Sequence, residues 1–153
     1  MKILVALDFS DITARVVQQA SMLAKKTSSE LVLLHVAEPH SDFIAYDYDP
    51  VVPLAINPIE VRDQTANRLH NEHKTLQQYA DRMRENDITC KALMVQGDPV
   101  EMILQQAVKM EADFIIAGSH GKGLLSQVLL GSNSETLIRQ SNIPVHLVPS
   151  EKT

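Results

Sequence analysis

Five short apolar runs alternate with longer segments of helical period along this chain. The runs are ILVAL (3–7), ELVLLHV (30–36), CKALMV (90–95), DFIIAG (113–118) and PVHLV (144–148). Because runs such as ILVAL and LVLLHV are apolar on both faces, they fit a parallel sheet that is covered by helices on each side. The alternation therefore predicts an α/β fold, namely a doubly wound five-stranded parallel sheet with helices on both faces.

Start signals mark three of the four predicted helices. The helices are expected over residues 11–26, 59–85, 100–110 and 132–140. Segments 57–60 and 98–101 each place a capping side chain before the helix and a proline at its first position. Each also has a glutamate whose carboxylate can accept the backbone N–H of the capping residue. Segment 132–135 gives a third capping box. Segment 38–57 is long for a connection and rich in aspartate, tyrosine and proline, so we expect a functional or mobile loop there.

Length and charge limit the class of protein. The 153 residues predict one domain, residues 1–153, and the formal net charge is -5 at pH 7. Bases on the second predicted helix are interleaved with acids and amides, as at Arg62, Arg68, Lys74, Arg82 and Arg84. Aromatic residues make up 4% of the chain and tryptophan is absent, which leaves little surface for stacking bases. We therefore expect no nucleic-acid partner.

Cysteine usage and hydropathy give an expected location. Cys90 is the only cysteine, so the chain has no internal disulfide and no zinc site built from cysteines. This usage fits a reducing compartment, with Cys90 as a small apolar residue at the start of a strand. The first apolar run is too short for a signal peptide, and no stretch approaches the roughly 18 apolar residues of a membrane span. We expect a cytoplasmic protein without a membrane partner.

Four of the five glycines lie in one stretch, AGSHGKGLLSQVLLGSNSET, residues 117–136. In doubly wound sheets ligands bind beyond the carboxyl ends of the strands, and phosphates favour helix N-termini. Gly118 ends the fourth run and Gly131 precedes the last helix, so the stretch is either a structural turn or a backbone cradle for a phosphorylated ligand. The P-loop signature is not met, because Leu124 and Leu125 stand where it needs Lys and Ser/Thr. The dinucleotide signature G-x-G-x-x-G is absent.

The spacing Gly118-x2-Gly121-x9-Gly131-Ser132 resembles the universal stress protein family. The resemblance extends over the whole chain: the first strand ends in Asp8 followed by FS, the second reads LLHV, Gly97 and Pro99 precede the third helix, and GSHG and IPVHLVP follow. In that family the glycine motif marks the branch that binds ATP. The resemblance implies an adenine nucleotide alpha hydrolase-like fold and ATP or AMP as ligand, with Mg²⁺ possible on a bound triphosphate.

The resemblance also implies roles for matched positions. Asp8 would bond the ribose hydroxyls, Ala6 and Leu7 would line the base pocket, and the backbone of Val36 would read the adenine edge. The residues implied around the phosphates are Gly118, His120, Gly121, Gly131, Ser132 and Asn133, with Ser134 adjacent. The family further implies a homodimer in which the C-terminal strands, residues 144–148, of two protomers pair. Such pairing would cover an apolar sheet edge.

Several of these residues have a plainer interpretation. Asp8 is either a ligand-binding acid or an N-cap of the first helix, although Ser10 and Asp11 are better placed to cap. His120 is a phosphate contact or a turn residue, and His35 is predicted to be a hydrogen-bonded core or interface residue. A metal site is not expected: His40, Asp42, Asp47 and Asp49 fit a solvated acidic loop, and His70 and His73 an exposed helix.

The leading function is that of an adenine-nucleotide-binding, stress-response protein that acts through nucleotide-dependent conformation or partner choice. No serine lies in a G-x-S-x-G elbow and no water-activating base is evident, so we expect no catalytic residues and at most weak ATPase activity. The alternative is a slow ATP-hydrolysing or adenylyl-transferring enzyme, with His120 and Lys122 stabilising a departing phosphate. A phosphoryl-accepting receiver domain does not fit, because segments 95–97 and 148–150 lack its aspartate and lysine.

Overall fold

A computed structural model of the protein describes residues 1–38, 58–119 and 132–150, with no side-chain description for 58–61 and 132. Strands and helices alternate along these ranges. The elements are β1 Lys2–Leu7, α1 Thr13–Thr27, β2 Glu30–Ala37, α2 Pro58–Glu85, β3 Cys90–Gln96, α3 Pro99–Lys109, β4 Phe114–Gly118, α4 Ser132–Gln140 and β5 Val145–Val148. The βα order predicted from the apolar runs is confirmed.

The five strands form one parallel sheet in the order β3-β2-β1-β4-β5. The chain builds outward from β1 through β2 to β3, then returns to the other side of β1 with β4 and β5. The strand order therefore reverses between β1 and β4. In open α/β sheets this topological switch point is where the strand ends leave a crevice for a ligand.

The register brings the ends of β1 and β4 to the same place along the sheet. Val5 of β1 is paired with Ile116 of β4, so two residues further along each strand stand Leu7 and Gly118. On the other side of β1, Leu7 is paired with His35 of β2. The residue after β1, Asp8, consequently emerges at the carboxyl edge of the sheet beside Gly118.

Helices cover both faces of the sheet, and each face has its own apolar core. Alternate residues of a strand point to opposite faces, so neighbouring residues of β1 enter different cores. The core under α1 and α2 includes Ile3, Val5, Val16, Ala20, Leu31, Leu33, Leu76, Ala80 and Ile116. The core under α3 and α4 includes Leu4, Leu34, Val100, Ile103, Ala107, Ile115 and Leu137. The predicted doubly wound fold is confirmed.

The starts of the helices agree only in part with the sequence signals. Asp98 caps α3, since its carboxylate accepts the N–H of Glu101 at 2.9 Å and Pro99 is the first helical residue. At the start of α4, Oε1 of Glu135 accepts from Arg139 at 3.0 and 2.7 Å, and the predicted capping box stays a prediction because it depends on Ser132, whose side chain is not described. An arginine one turn along a helix is a competing partner for such a carboxylate. The cap expected at residue 57 lies outside the described residues, as does most of segment 38–57.

Cys90 is buried at the first position of β3, as predicted. Burial raises the pKa of its thiol to about 11, so the side chain is neutral near pH 7 and behaves as a small apolar residue. None of the helices in the described ranges is both long enough and apolar enough to cross a lipid bilayer.

Candidate functional site

Asp8 lies directly after β1, at the switch point of the sheet, and its carboxylate is held by the residues that follow it. Its Oδ1 accepts the Ser10 N–H at 3.0 Å, the Ser10 hydroxyl at 2.6 Å and, more loosely, the Thr13 hydroxyl at 3.4 Å. This is the local turn that an aspartate forms with the residue two positions on. All three bonds fall on Oδ1, and Oδ2 has no partner among the described residues. One oxygen thus fixes the carboxylate, and the other can accept a bond from a ligand.

The start of α1 corrects one expectation from the sequence. Ser10 and Asp11 were the expected caps, but the N-cap is Ile12, and it makes no side-chain capping bond. The chain enters α1 through a backbone turn instead, in which the Thr13 N–H bonds the carbonyl of Ser10 at 3.1 Å. The Ser10 hydroxyl is thereby left to donate to the charged carboxylate of Asp8, which is a stronger acceptor than a neutral group. Asp8 accordingly organises this turn without being the cap.

Phe9, between Asp8 and Ser10, adopts a left-handed backbone conformation with φ of 56°. A residue other than glycine in this region carries a cost of order 1–3 kcal/mol, and the conformation persists only where surrounding contacts offset that cost. The Phe9 ring stacks on the ring of His35, with centroids 4.3 Å apart and planes tilted by 32°. This sharp turn brings the Ser10 N–H back to the carboxylate of Asp8.

The opposite wall of the crevice is the end of β4 with the start of α4. The buried hydroxyl of Ser134 donates to the carbonyl of Gly118 at 2.9 Å, which ties the first turn of α4 to the end of the strand. The first N–H groups of a helix have no intrahelical partner, and the helix dipole makes that end attractive to anions. Asn133, next to Ser134, is exposed at this end. The wall therefore offers backbone donors beside Gly118.

The structure brings together the described members of the predicted site. Ala6 and Val36 are half-buried and pack on the α3 and α4 side of the sheet. Leu7 is buried in the core on the other side, so its side chain does not share a face with that of Ala6. Three predicted phosphate contacts, His120, Gly121 and Gly131, lie outside the described residues, and the side chain of Ser132 is not described.

The structure describes some of the residues that the sequence offers as possible metal ligands. His70 and His73 are both exposed on α2. Across residues 1–38, 58–119 and 132–150, no three His, Cys, Asp or Glu side chains gather where they could hold a metal ion. The acidic residues of segment 38–57 that could serve as oxygen ligands lie outside these ranges.

His35 is buried, with its Nδ1 2.8 Å from the carbonyl oxygen of Leu7, which confirms the predicted hydrogen-bonded core residue.

Sequence reasoning missed the groups that support Asp8. Ser10 was considered only as a cap, although serine two residues after aspartate is a signal for a local side-chain turn. The left-handed conformation of Phe9 has no sequence signal, because turns of this kind favour glycine, asparagine or aspartate. The partner of His35 on α2, Glu72, lies 3.4 Å from its Nε2 and is far away in sequence.

Comparison with known proteins agrees with this architecture. The model of the universal stress protein family matches residues 1–149. The chain is 31% identical over 146 residues to a universal stress protein of Thermus aquaticus, covering 95% of this chain and 96% of the relative. It is 30% identical over 152 residues to universal stress protein MJ0577 of Methanocaldococcus jannaschii, covering 96% and 93%.

Solved structures have the same fold. The structure of MJ0577 aligns with a TM-score of 0.81 and 28% identity, covering 99% of this chain and 97% of that one. A universal stress protein from Archaeoglobus fulgidus, solved in complex with dAMP, aligns with a TM-score of 0.62 and 21% identity over 96% of each chain. At this lower identity the likeness concerns the fold alone.

Proposed function

Because this chain belongs to the universal stress protein family, we propose that it binds an adenine nucleotide, ATP or AMP, between the carboxyl ends of β1 and β4. The observation that carries this proposal is the carboxylate of Asp8 at the switch point, with Oδ1 held by Ser10 and Thr13. The dAMP complex of the Archaeoglobus fulgidus protein is an example of this fold with an adenine nucleotide bound.

The ribose is assigned to Asp8. A carboxylate oxygen can accept hydrogen bonds from both hydroxyls of a vicinal diol, and hydrogen bonds to a charged acceptor are the stronger kind. Because Oδ1 is already held by the turn, Oδ2 is directed without the loss of side-chain freedom that a mobile acid would undergo on binding. The proposed role of Asp8 is therefore recognition of the sugar.

The phosphates are assigned to the glycine stretch and the start of α4. Gly118 and the first N–H groups of α4 form the described part of this cradle, and Asn133 is exposed beside them. In the proposal His120, Gly121, Gly131 and Ser132 complete it. Ser134 acts as support, since its hydroxyl is already donated to Gly118. Mg²⁺ would accompany a triphosphate and neutralise charge on its oxygens.

The base is assigned to the α3 and α4 side of the first two strands. Ala6 and Val36 present small half-buried side chains on that face, and the backbone of Val36 is available to read the adenine edge. Leu7 contributes its backbone, because its side chain belongs to the other core. Apolar walls with a few directed polar groups are typical of small-molecule sites.

The proposed function is regulatory: nucleotide occupancy changes conformation or partner choice, and turnover is at most slow. The only acid described at the crevice is Asp8, and its bonds to Ser10 and Thr13 suit recognition rather than proton transfer. The second candidate is a slow ATP-hydrolysing or adenylyl-transferring enzyme. Steady release of phosphate or pyrophosphate at rates of about 1 s⁻¹ or more, typical of kinases, would contradict the regulatory function.

Calorimetric titration tests the binding proposal. We expect ATP and AMP to bind the purified protein in the presence of Mg²⁺ with dissociation constants on the order of micromolar, or about -8 kcal/mol. GTP should bind more weakly because its base presents a different edge to Val36. Thermal unfolding in the same solutions is an independent measure, since a ligand that binds the native state raises the melting temperature. Absence of both heat and thermal stabilisation with every nucleotide would contradict the proposal.

A second proposal concerns the partner of β5. The carbonyls of Pro144 and Val148 accept the N–H groups of Ile115 in β4 and of Ser119, the residue after it. Val145 and Leu147 therefore direct their backbone groups to the other side of β5, where no described strand pairs with it. An open strand edge favours pairing with another strand. We propose a homodimer in which two copies of β5 pair about a two-fold axis. Light scattering should give twice the mass of the chain at micromolar concentration, and a monomer would contradict this proposal.

A further inference from the structure

A buried polar cluster connects the site to α2. His35 is 4% exposed, although its neighbours Leu33 and Leu34 on β2 are apolar and fully buried. Its Nδ1 lies 2.8 Å from the carbonyl oxygen of Leu7, and its ring stacks on Phe9. His35 therefore contacts the residue before Asp8 and the residue after it. Burying a polar imidazole in an apolar strand costs free energy unless its nitrogens make hydrogen bonds. The bond to Leu7 and the contact with Phe9 therefore favour one position of the ring.

The other nitrogen of His35 faces α2. Its Nε2 lies 3.4 Å from Oε2 of Glu72, and the Glu72 side chain is 16% exposed. The guanidinium of Arg68, one turn earlier on α2, lies 3.4 Å from the other carboxylate oxygen of Glu72. Arg68 also donates to the carbonyl of Glu38, one residue past β2, at 3.3 Å. The carboxylate that faces His35 is therefore itself held in place.

The chemistry of these groups fixes the ring. The carbonyl oxygen of Leu7 can only accept, so Nδ1 of His35 must carry a hydrogen. Nε2 of His35 and Oε2 of Glu72, 3.4 Å apart, form no hydrogen bond, so the carboxylate attracts the ring only when Nε2 also carries a hydrogen. The bond to Leu7 and the ring contact with Phe9 define the orientation of His35, since a flipped ring would lose the bond to Leu7.

We propose that His35, with Glu72 opposite its Nε2, is a positioning residue for the ribose-binding carboxylate of Asp8. This inference rests on the proposed function and adds to it residues that do not touch the nucleotide. His35 supports the left-handed turn at Phe9 by stacking, and it fixes the carbonyl that precedes Asp8. This turn brings the N–H and hydroxyl of Ser10 to Oδ1 of Asp8 and leaves Oδ2 of Asp8 for the sugar.

The test compares ATP with 2′,3′-dideoxy-ATP, which lacks both ribose hydroxyls. For His35→Leu we expect ATP to bind roughly tenfold more weakly, while the affinity for the dideoxy nucleotide is unchanged. His35→Asn carries an N–H at the same distance from the backbone as Nδ1, so its ATP affinity should stay within about threefold of wild type. A merely structural role would weaken both nucleotides alike and would not be rescued by asparagine.

Glu72→Gln is the second variant. Glutamine has the same shape as glutamate, and Glu72 is less buried than His35, so this variant tests the cluster even if His35→Leu does not fold. We expect roughly threefold weaker ATP binding, again without an effect on the dideoxy nucleotide. The matched control is Glu85→Gln, which removes the same charge from an exposed position of α2 and should bind both nucleotides as wild type does. Equal affinities of Glu72→Gln and Glu85→Gln for ATP would overturn the part assigned to Glu72.

Hydrogen exchange in the unliganded proteins separates this inference from the proposed function. The Ser10 amide donates to Asp8, and we expect its exchange to accelerate by about tenfold in His35→Leu, with amides at the centre of β4 unchanged. No nucleotide binding by the wild type would contradict the proposed function, and the Ser10 amide would still show whether His35 holds the turn. Unchanged Ser10 exchange, or equal losses for ATP and the dideoxy nucleotide, would overturn the inference.

Discussion

Asp8→Ala is expected to weaken ATP binding about a hundredfold, because two charge-assisted hydrogen bonds to the ribose together contribute ~3 kcal/mol. The carboxylate at the end of β1 is the only described acid at the switch point, and one of its oxygens is held by Ser10. The affinity for 2′,3′-dideoxy-ATP should be nearly the same in the variant and in the wild type. Calorimetric titration of both nucleotides measures the difference directly.

Asp11→Ala is the matched control for this substitution. Asp11 is an exposed acid three residues further on, so its removal changes the net charge equally and keeps the groups of Ser10 and Thr13 that bond Asp8. Asp8→Ala also loses the bonds from Ser10 and Thr13, and we expect a cost of about 1 kcal/mol in the free energy of unfolding. Binding is therefore measured well below the melting temperature of each variant. Equal ATP affinities of the two variants would show that Asp8 contacts no nucleotide.

The second large effect concerns stability. Ile116→Ala should lower the free energy of unfolding by about 2–5 kcal/mol, because it leaves a cavity in a close-packed core. Ile116 is fully buried in β4, between β1 and β5, and is paired with Val5. Denaturation by urea, with the midpoint and slope compared with those of the wild type, measures the loss.

Val108→Ala is the control, because it removes apolar groups from an exposed side chain instead of a buried one. Val108 lies on α3 and is 70% exposed, so the change should stay within about 0.5 kcal/mol of zero. A loss below 1 kcal/mol for Ile116→Ala would contradict the core described here. Since Gly118 lies two residues beyond Ile116, we expect a nucleotide bound by the proposed site to raise the melting temperatures of the destabilised variant and of the wild type alike.

The strands and helices were predictable because their signals are local. Runs that are apolar on both faces indicate buried parallel strands, and Asp98-Pro99 indicates the start of a helix. The start of α1 was not predictable from capping residues, because the chain enters it through a backbone turn in which the carbonyl of Ser10 accepts the N–H of Thr13. Glu135 could pair with Arg139 or form a capping box, and local sequence does not decide between two such partners.

The site was predictable only in part, because it depends on the order of the strands. Gly118 is predicted from its place at the end of the fourth apolar run and the ligand role of Asp8 from the family resemblance, and the order β3-β2-β1-β4-β5 shows why the ends of their strands are neighbours. Alternation of strands and helices alone is compatible with other orders. The contact of His35 with Glu72 joins β2 to α2 through tertiary packing, so no residue spacing in the sequence indicates it. The ATP-binding branch of the family remains a prediction.

The position of β1 at the centre of the sheet has a consequence for how the crevice is made during synthesis. The N–H of Lys2, the first residue of β1, bonds the carboxylate of Asp113, directly before β4, across 111 residues of chain. In contrast, β1, β2 and β3 pair in the order in which they are synthesised. Closing so long a loop is entropically costly and slow compared with local pairing. One wall, with Asp8, can thus form on the nascent chain while the wall with Gly118 is still unmade. The crevice of the proposed nucleotide site is therefore completed as a late event of folding, and a chain released before residue 118 lacks half of it.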